Sequence, residues 1–151
     1  MHTYKFNLSF RVRHPERDLA HIYVTLGRVP SFVPGRIWKV GDDRQTPRGE
    51  KLEGHYDESY CFFRLFDNPQ SSDVETPSAA LGRLVTSLAG LKDDLRNHVE
   101  SGGTLELLLS VYVDSNSGET FRPDLMGEMA NLQIQLSVDI YPPNSVEQES
   151  E

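Results

Sequence analysis

The chain has 151 residues, 37% of them hydrophobic and 25% charged, with a formal net charge of −8. That is one domain's worth of an ordinary globule, long enough to bury roughly 68–70% of its unfolded surface in a single core. Its one cysteine, Cys61, excludes an intramolecular disulfide and any zinc site built from cysteine pairs, and no stretch approaches the ~18 consecutive apolar residues of a membrane helix.

The opening segment, MHTYKFNLSFRVRH, alternates. Tyr4, Phe6, Leu8, Phe10 and Val12 point one way, and Lys5, Asn7, Ser9, Arg11 and Arg13 the other, so it reads as a strand with one buried and one wet face. It lacks the continuous apolar run of a signal peptide, and a reduced, cytoplasmic compartment is the expectation. Pro15 suits a first helical position, and Leu19, Ile22, Tyr23 and Leu26 follow at helical spacing, predicting a short helix from about Pro15 to Leu26. Arg36 to Val40 is a short strand between Pro34-Gly35 and Gly41-Asp42. Asp42 to Glu58, with Pro47, Gly49 and Gly54, reads as a long polar loop. Ser59 to Phe66, dense in aromatics, reads as a buried strand, and the stretch from Asp67 to Thr76 as linker.

The next helix carries the strongest signals. Thr76 caps, Pro77 fits the first position, and Leu81, Leu84, Val85, Leu88, Leu91, Leu95 and Val99 make one apolar stripe. After Ser101-Gly102-Gly103, Leu105, Leu107, Leu109, Val111 and Val113 alternate as a strand, with Leu108 the one apolar residue on its wet side. Pro123 to about Asn131 is a short helix. Ile134, Leu136, Val138 and Ile140 mark the inner face of a last strand that Pro142-Pro143 breaks. Residues 142–151 read as a disordered acidic tail behind a single domain of residues 1–141. The predicted fold is α+β, order β-α-β-β-α-β-α-β: one mixed, mainly antiparallel sheet with helices packed on one face.

The charge is uneven along the chain. Residues 1–51 hold ten Lys/Arg against five Asp/Glu, a net +5, and residues 52–151 hold five against eighteen, a net −13. An acidic surface repels nucleic acid and favours basic partners.

The stretch from Arg36 to Gly49, RIWKVGDDRQTPRG, is the natural place to look for chemistry. It has no P-loop spacing, no Lys-Ser/Thr end and no helix after it, so it is not a phosphate loop of that type. Arg36, Arg44, Arg48 and Lys51, joined by Arg11 and Arg13, would bind a phosphate or carboxylate only if their charged ends, the bidentate arginine forks above all, converge. Asp42, Asp43, His55, Asp57 and Glu58 flank the loop without any metal-ligand spacing. Asp42 is more simply a turn cap, and no metal or cofactor is expected. Cys61, among aromatics, reads as a small core residue rather than a thiolate. The histidines, at 2, 14, 21, 55 and 98, lie in separate contexts, and the helix dipole accounts for His98. Trp38 reads as a sheet-edge anchor more readily than as a ligand platform, with Gly41 allowing the turn that follows.

Trp38-Lys39-Val40-Gly41-Asp42, the strand Leu105–Val113, a helix opened by Arg122-Pro123-Asp124, and LSVDIY at 136–141 together resemble the small bacterial proteins of domain of unknown function family 4279. The resemblance runs from about Phe6 to Tyr141. It implies a single α+β bacterial domain and brings no catalytic residue set with it. Members often carry a second tryptophan opening the central strand, where this chain has Tyr60 and Phe62.

The expectation is therefore a non-enzymatic protein-interaction module, an immunity-type or accessory protein binding a basic partner. The alternative is a phosphate- or carboxylate-binding domain, or an enzyme of unrecognised type, using the basic first strand and the 42–58 loop. The residues on which either reading turns are Arg11, Arg13, Arg36, Trp38, Asp42, Arg44 and Arg48.

Overall fold

The computed structural model describes residues 2–143. The acidic tail expected from residue 142 lies, beyond Pro143, outside the described residues. The fold is α+β with a mixed, mainly antiparallel sheet, as the alternation predicts. Its central strand is β1 (Lys5–His14), whose inward residues Phe6, Leu8, Phe10 and Val12 are all within 1% of full burial. On one side β1 pairs antiparallel with β5 (Ser59–Arg64) and with the two-residue β6 (Gln70–Ser71). On the other it pairs antiparallel with β7 (Thr104–Tyr112). The sheet ends in β2 (Val33–Trp38), antiparallel to β5, and in β8 (Ile134–Tyr141), which runs parallel to β7. A separate hairpin, β3 (Asp43–Gln45) with β4 (Lys51–His55), projects between β2 and β5.

The helices cover the apolar face. They are α1 (Ala20–Leu26), α2 (Pro77–Leu88), joined through a 3-10 turn at Ala89–Leu91 to α3 (Lys92–Glu100), and α4 (Pro123–Asn131). The Thr76 hydroxyl accepts the Ala79 N–H at 3.2 Å, which caps α2 as predicted. Leu81, Leu84, Leu88 and Leu95 from the long helix pack on Leu105, Leu107 and Leu109 of β7 and on the inner row of β1. Each such side chain, removed from water, stabilises the fold by about 1.5–3 kcal/mol. Phe32 sits between Phe10 and Phe63 at ring separations of 5.4 and 5.2 Å, closing the core beneath α1. No helix among the described residues is long and apolar enough to cross a membrane.

Four expectations need correcting. The first helix starts at Ala20, not Pro15: residues 15–17 form a bend folded around the His14 ring, whose Nδ1 accepts the N–H groups of Glu16 and Arg17 at 3.0 and 2.9 Å. The Asp18 carboxylate then accepts the Ala20 N–H at 2.9 Å. The edge strand includes Pro34 and Gly35, read as its boundary, and ends at Trp38 instead of Val40. A bulge between Pro34 and Ile37 accommodates both, and an edge tolerates proline. Gly35 lies so close over Phe62 that a Cβ there would overlap the ring. The long loop is the β3–β4 hairpin. Finally, Val138 and Ile140 face the helix side but remain 46% and 66% exposed, since α4 covers only the first half of β8.

Candidate binding site

The outward face of the sheet carries a row of stacked side chains that runs inward from the β2 edge. Trp38, half-buried at the end of β2, is paired with Tyr60 of β5. Its ring lies 4.7 Å from the Tyr60 ring and stacks on Tyr56 at 4.4 Å and 10°. The Arg13 guanidinium sits 4.8 Å over Tyr60 and forms ion pairs with Glu58 at 3.2 Å and Glu106 at 3.3 Å. Glu106 in turn accepts the Ser137 hydroxyl at 2.7 Å. Burial pushes the Glu106 carboxyl up, but the Ser137 hydrogen bond and the Arg13 charge outweigh it and hold the group below its ordinary value.

The hairpin is held over Trp38 by its own backbone. Gly41, at φ 87°, lets residues 39–42 turn, with the Asp42 N–H donating to the Lys39 carbonyl at 3.1 Å. Asp42 Oδ2 accepts the Lys39 N–H at 3.3 Å, so Asp42 caps the turn as its sequence suggests. The Gly41 N–H donates to the Tyr56 carbonyl and the Tyr56 N–H to the Asp42 carbonyl, at 2.9 and 3.0 Å, placing the Tyr56 ring against Trp38. The Tyr56 hydroxyl accepts the Gln45 N–H at 3.0 Å, tying β3 to the end of β4.

Between hairpin and strand lies a cleft of about 610 Å³, lined by Arg36, Trp38, Asp42, Asp43, Gln45 and Tyr56 among others. A shallower hollow of about 420 Å³, with Arg44, His55 and Glu58, opens on the other side of the Trp38–Tyr56 pair. The stacked rings thus form a wall shared by both.

The predicted residues separate in this frame. Arg36, Trp38 and Asp42 line the larger cleft, and Arg44 lines the smaller hollow. Arg13 is committed to Tyr60 and two carboxylates. Arg11 lies further along β1, with Phe62 and Glu106 as its register partners, and Arg48 is exposed in the hairpin turn. Arg36 is itself partly spent: it lies 5.0 Å over Trp38, and its Nη2 donates to the Gln45 carbonyl at 3.0 Å and more weakly to the Tyr56 hydroxyl. One guanidinium therefore lines the larger cleft beside two carboxylates, of which Asp43 has exposed contacts with the Lys51 ammonium at 3.8 Å and the His55 ring at 3.1 Å. Sequence reasoning missed Tyr56, Gln45 and Glu106. Tyr56 and Gln45 lie in exposed hairpin backbone without alternation, and Glu106 meets Arg13 through a strand register that no local pattern encodes.

Elsewhere the reactive residues are structural. Burial pushes the Cys61 thiol up to about 12, far from a thiolate at neutral pH. His98 does more than complement a helix dipole: its Nε2 donates to the Arg13 carbonyl at 2.9 Å and the Thr104 carbonyl at 3.3 Å, clasping α3 to the ends of β1 and β7. Burial lowers its pKa, more than the two carbonyls raise it. Among the described residues no three His, Cys, Asp or Glu side chains gather as a metal site would require.

Comparison of the chain with models of known families, with curated proteins and with solved structures finds no match.

Proposed function

We propose that the protein is a non-enzymatic interaction module, and that its hairpin cleft seats a lysine or arginine side chain from a basic protein partner. The observation that carries this reading is the cleft's composition: two carboxylates, Asp42 capping the Lys39 N–H and Asp43 beside Lys51 and His55 at the surface, and a stacked Trp–Tyr wall, against a single guanidinium that is itself engaged. An entering cation meets Asp42 and Asp43 beside the Trp38–Tyr56 stack, whose Trp38 ring already carries Arg36. An entering phosphate or carboxylate meets two like charges and one occupied fork. The converging arginine forks that the anion-binding alternative requires are not in this lining, so the cationic reading is the better supported.

A cation over an aromatic ring contributes about 0.5–2 kcal/mol, and an exposed ion pair about 0–1 kcal/mol. One inserted side chain thus supplies a few kcal/mol at most, and the partner must contribute further contacts for stable binding. This fits an immunity-type or accessory protein of the bacterial cytoplasm, in keeping with the likeness to domain of unknown function family 4279 carried by Trp38 to Asp42.

The test is calorimetric titration with short Lys- or Arg-rich peptides and, in parallel, with inorganic phosphate and citrate. Binding of the basic peptides alone, lost in an Asp42→Asn, Asp43→Asn double variant, supports the proposal. Tighter binding of phosphate or citrate would reverse it in favour of the anion site.

A further inference from the structure

We propose that the free edge of β8 is a docking strand for an extended segment of another protein, one that alternates apolar and basic residues and adds to the sheet as a further strand. This rests on the β8 edge alone and does not depend on the hairpin cleft, which lies at the opposite end of the sheet.

The backbone of β8 is set up for such an addition. Among the described residues it is the last strand in the sheet, with β7 as its one strand partner. The Tyr141 carbonyl accepts the Val113 N–H at 3.1 Å, so Tyr141 and, two residues earlier, Asp139 turn their backbone groups towards β7. By the two-residue period of a strand, Val138 and Ile140 turn their N–H and C=O groups the other way, away from the sheet. Natural sheets protect such an edge with lysine, proline, a bulge or a covering segment. Residues 134–141 contain no lysine, no proline and no break in register.

The side chains point to the same use. Val138 and Ile140, 46% and 66% exposed, border a groove of about 370 Å³ whose apolar wall is built by Val111, Val113 and Phe121. The groove is open because α4 stops short of it, having covered Ile134 and Leu136. Apolar residues at every second position of an added strand would continue this surface and bury it.

Charge selects the occupant. Glu119 lines the groove, Asp114 directly follows the groove residue Val113, and Asp139, between Val138 and Ile140, faces the other side of the sheet by the strand period. The nearest basic residue in sequence, Arg122, lies 3.8 Å from Asp124. Two copies joined through β8 would bring these acids face to face in a chain of net charge −8. A segment with lysine or arginine between its apolar residues would instead set opposite charges against them.

The experiment uses the full chain, isotope-labelled, with a short synthetic peptide of alternating valine and lysine. Amide resonances and amide hydrogen exchange are followed residue by residue. The expected result is saturable binding that slows exchange at Val138 and Ile140 by about tenfold or more. The same peptide with glutamate for lysine should bind at least about tenfold more weakly, and an Asp114→Asn, Asp139→Asn double variant should lose about tenfold in affinity. Ile140→Lys, at an exposed position, should fold normally and lose the peptide. Unmoved Val138 and Ile140 amides, or equal binding of the glutamate peptide, would overturn the proposal. Protection of the same amides without peptide, rising with protein concentration, would assign the edge to a second copy of the chain and overturn it as well.

Discussion

At one edge of the sheet, β2 carries Pro34, a bulge and a glycine pressed onto Phe62, and a hairpin stacks Tyr56 onto its last residue, Trp38. At the other edge, β8 runs in unbroken register and ends with Val138 and Ile140 in the open. The first edge is blocked as a strand template and carries shaped side-chain chemistry instead: an aromatic wall, two aspartates and an arginine. The second offers backbone and an apolar groove but little shaped side-chain chemistry. The same sheet thus presents two kinds of surface, one suited to a single cationic side chain and the other to an extended segment. The difference follows from which edge has proline, a bulge and a covering element.

The largest effect that would separate the two edges is expected from Trp38→Ala. Removing a half-buried ring that touches both Tyr56 and Tyr60 should cost about 3 kcal/mol in urea unfolding, near the low end for such truncations, and should free the hairpin. A cost below 1 kcal/mol would mean that the stack does not hold the β2 edge. Gly35→Ala comes next, at about 1–3 kcal/mol, since its Cβ must displace the Phe62 ring. Glu106→Gln should cost about 1 kcal/mol at neutral pH, because Arg13 loses a charged partner but keeps Glu58.

At the opposite edge, Ile140→Lys should change stability by no more than about 0.5 kcal/mol, as expected for a residue outside the packed core.

Acidity adds a comparison along β1. His98 is held below its ordinary pKa of 6.5, so below pH 6.5 the unfolded chain takes up a proton that the folded chain resists. Its contribution to stability is complete above that pH and falls as the pH drops through the lowered folded value. Glu106, also lowered from 4.5, is lost only in a more acidic window, below pH 4.5. Urea midpoints measured from pH 7.5 to 3.5 should therefore decline in two stages, and His98→Gln should remove the first. A profile unchanged by His98→Gln would contradict the clasp between α3, Arg13 and Thr104.

Where one side of an element is dry and the other wet, its pattern was plain in the sequence. The alternation of β1 and β7 and the stripe from Leu81 to Leu95 specify their faces, because burial on one side imposes the period. The hairpin has no such imprint: all eight residues of β3 and β4 are exposed, so nothing selects apolar residues at alternate positions. The bare half of β8 deceived for the opposite reason. Val138 and Ile140 keep the alternation of a buried face, yet no helix among the described residues reaches them, and only tertiary structure shows where cover ends. Trp38 and Asp42 could be singled out by residue type and turn chemistry, and both lie in the cleft. That Arg13 faces Glu58 and Glu106 while Arg36 enters the cleft depends on strand register, which sequence periodicity leaves open.

Trp38 is the only tryptophan in the chain, so tryptophan emission reports the wall that the cleft shares with the smaller hollow. The most direct test of the cationic-cleft account is to titrate the protein with a short arginine-rich peptide at physiological salt and follow that emission. The account predicts a saturable change that weakens as salt rises, is absent in the Asp42→Asn, Asp43→Asn double variant, and is not produced by phosphate. An unchanged emission at saturating peptide, or a saturable change produced by phosphate alone, would contradict it.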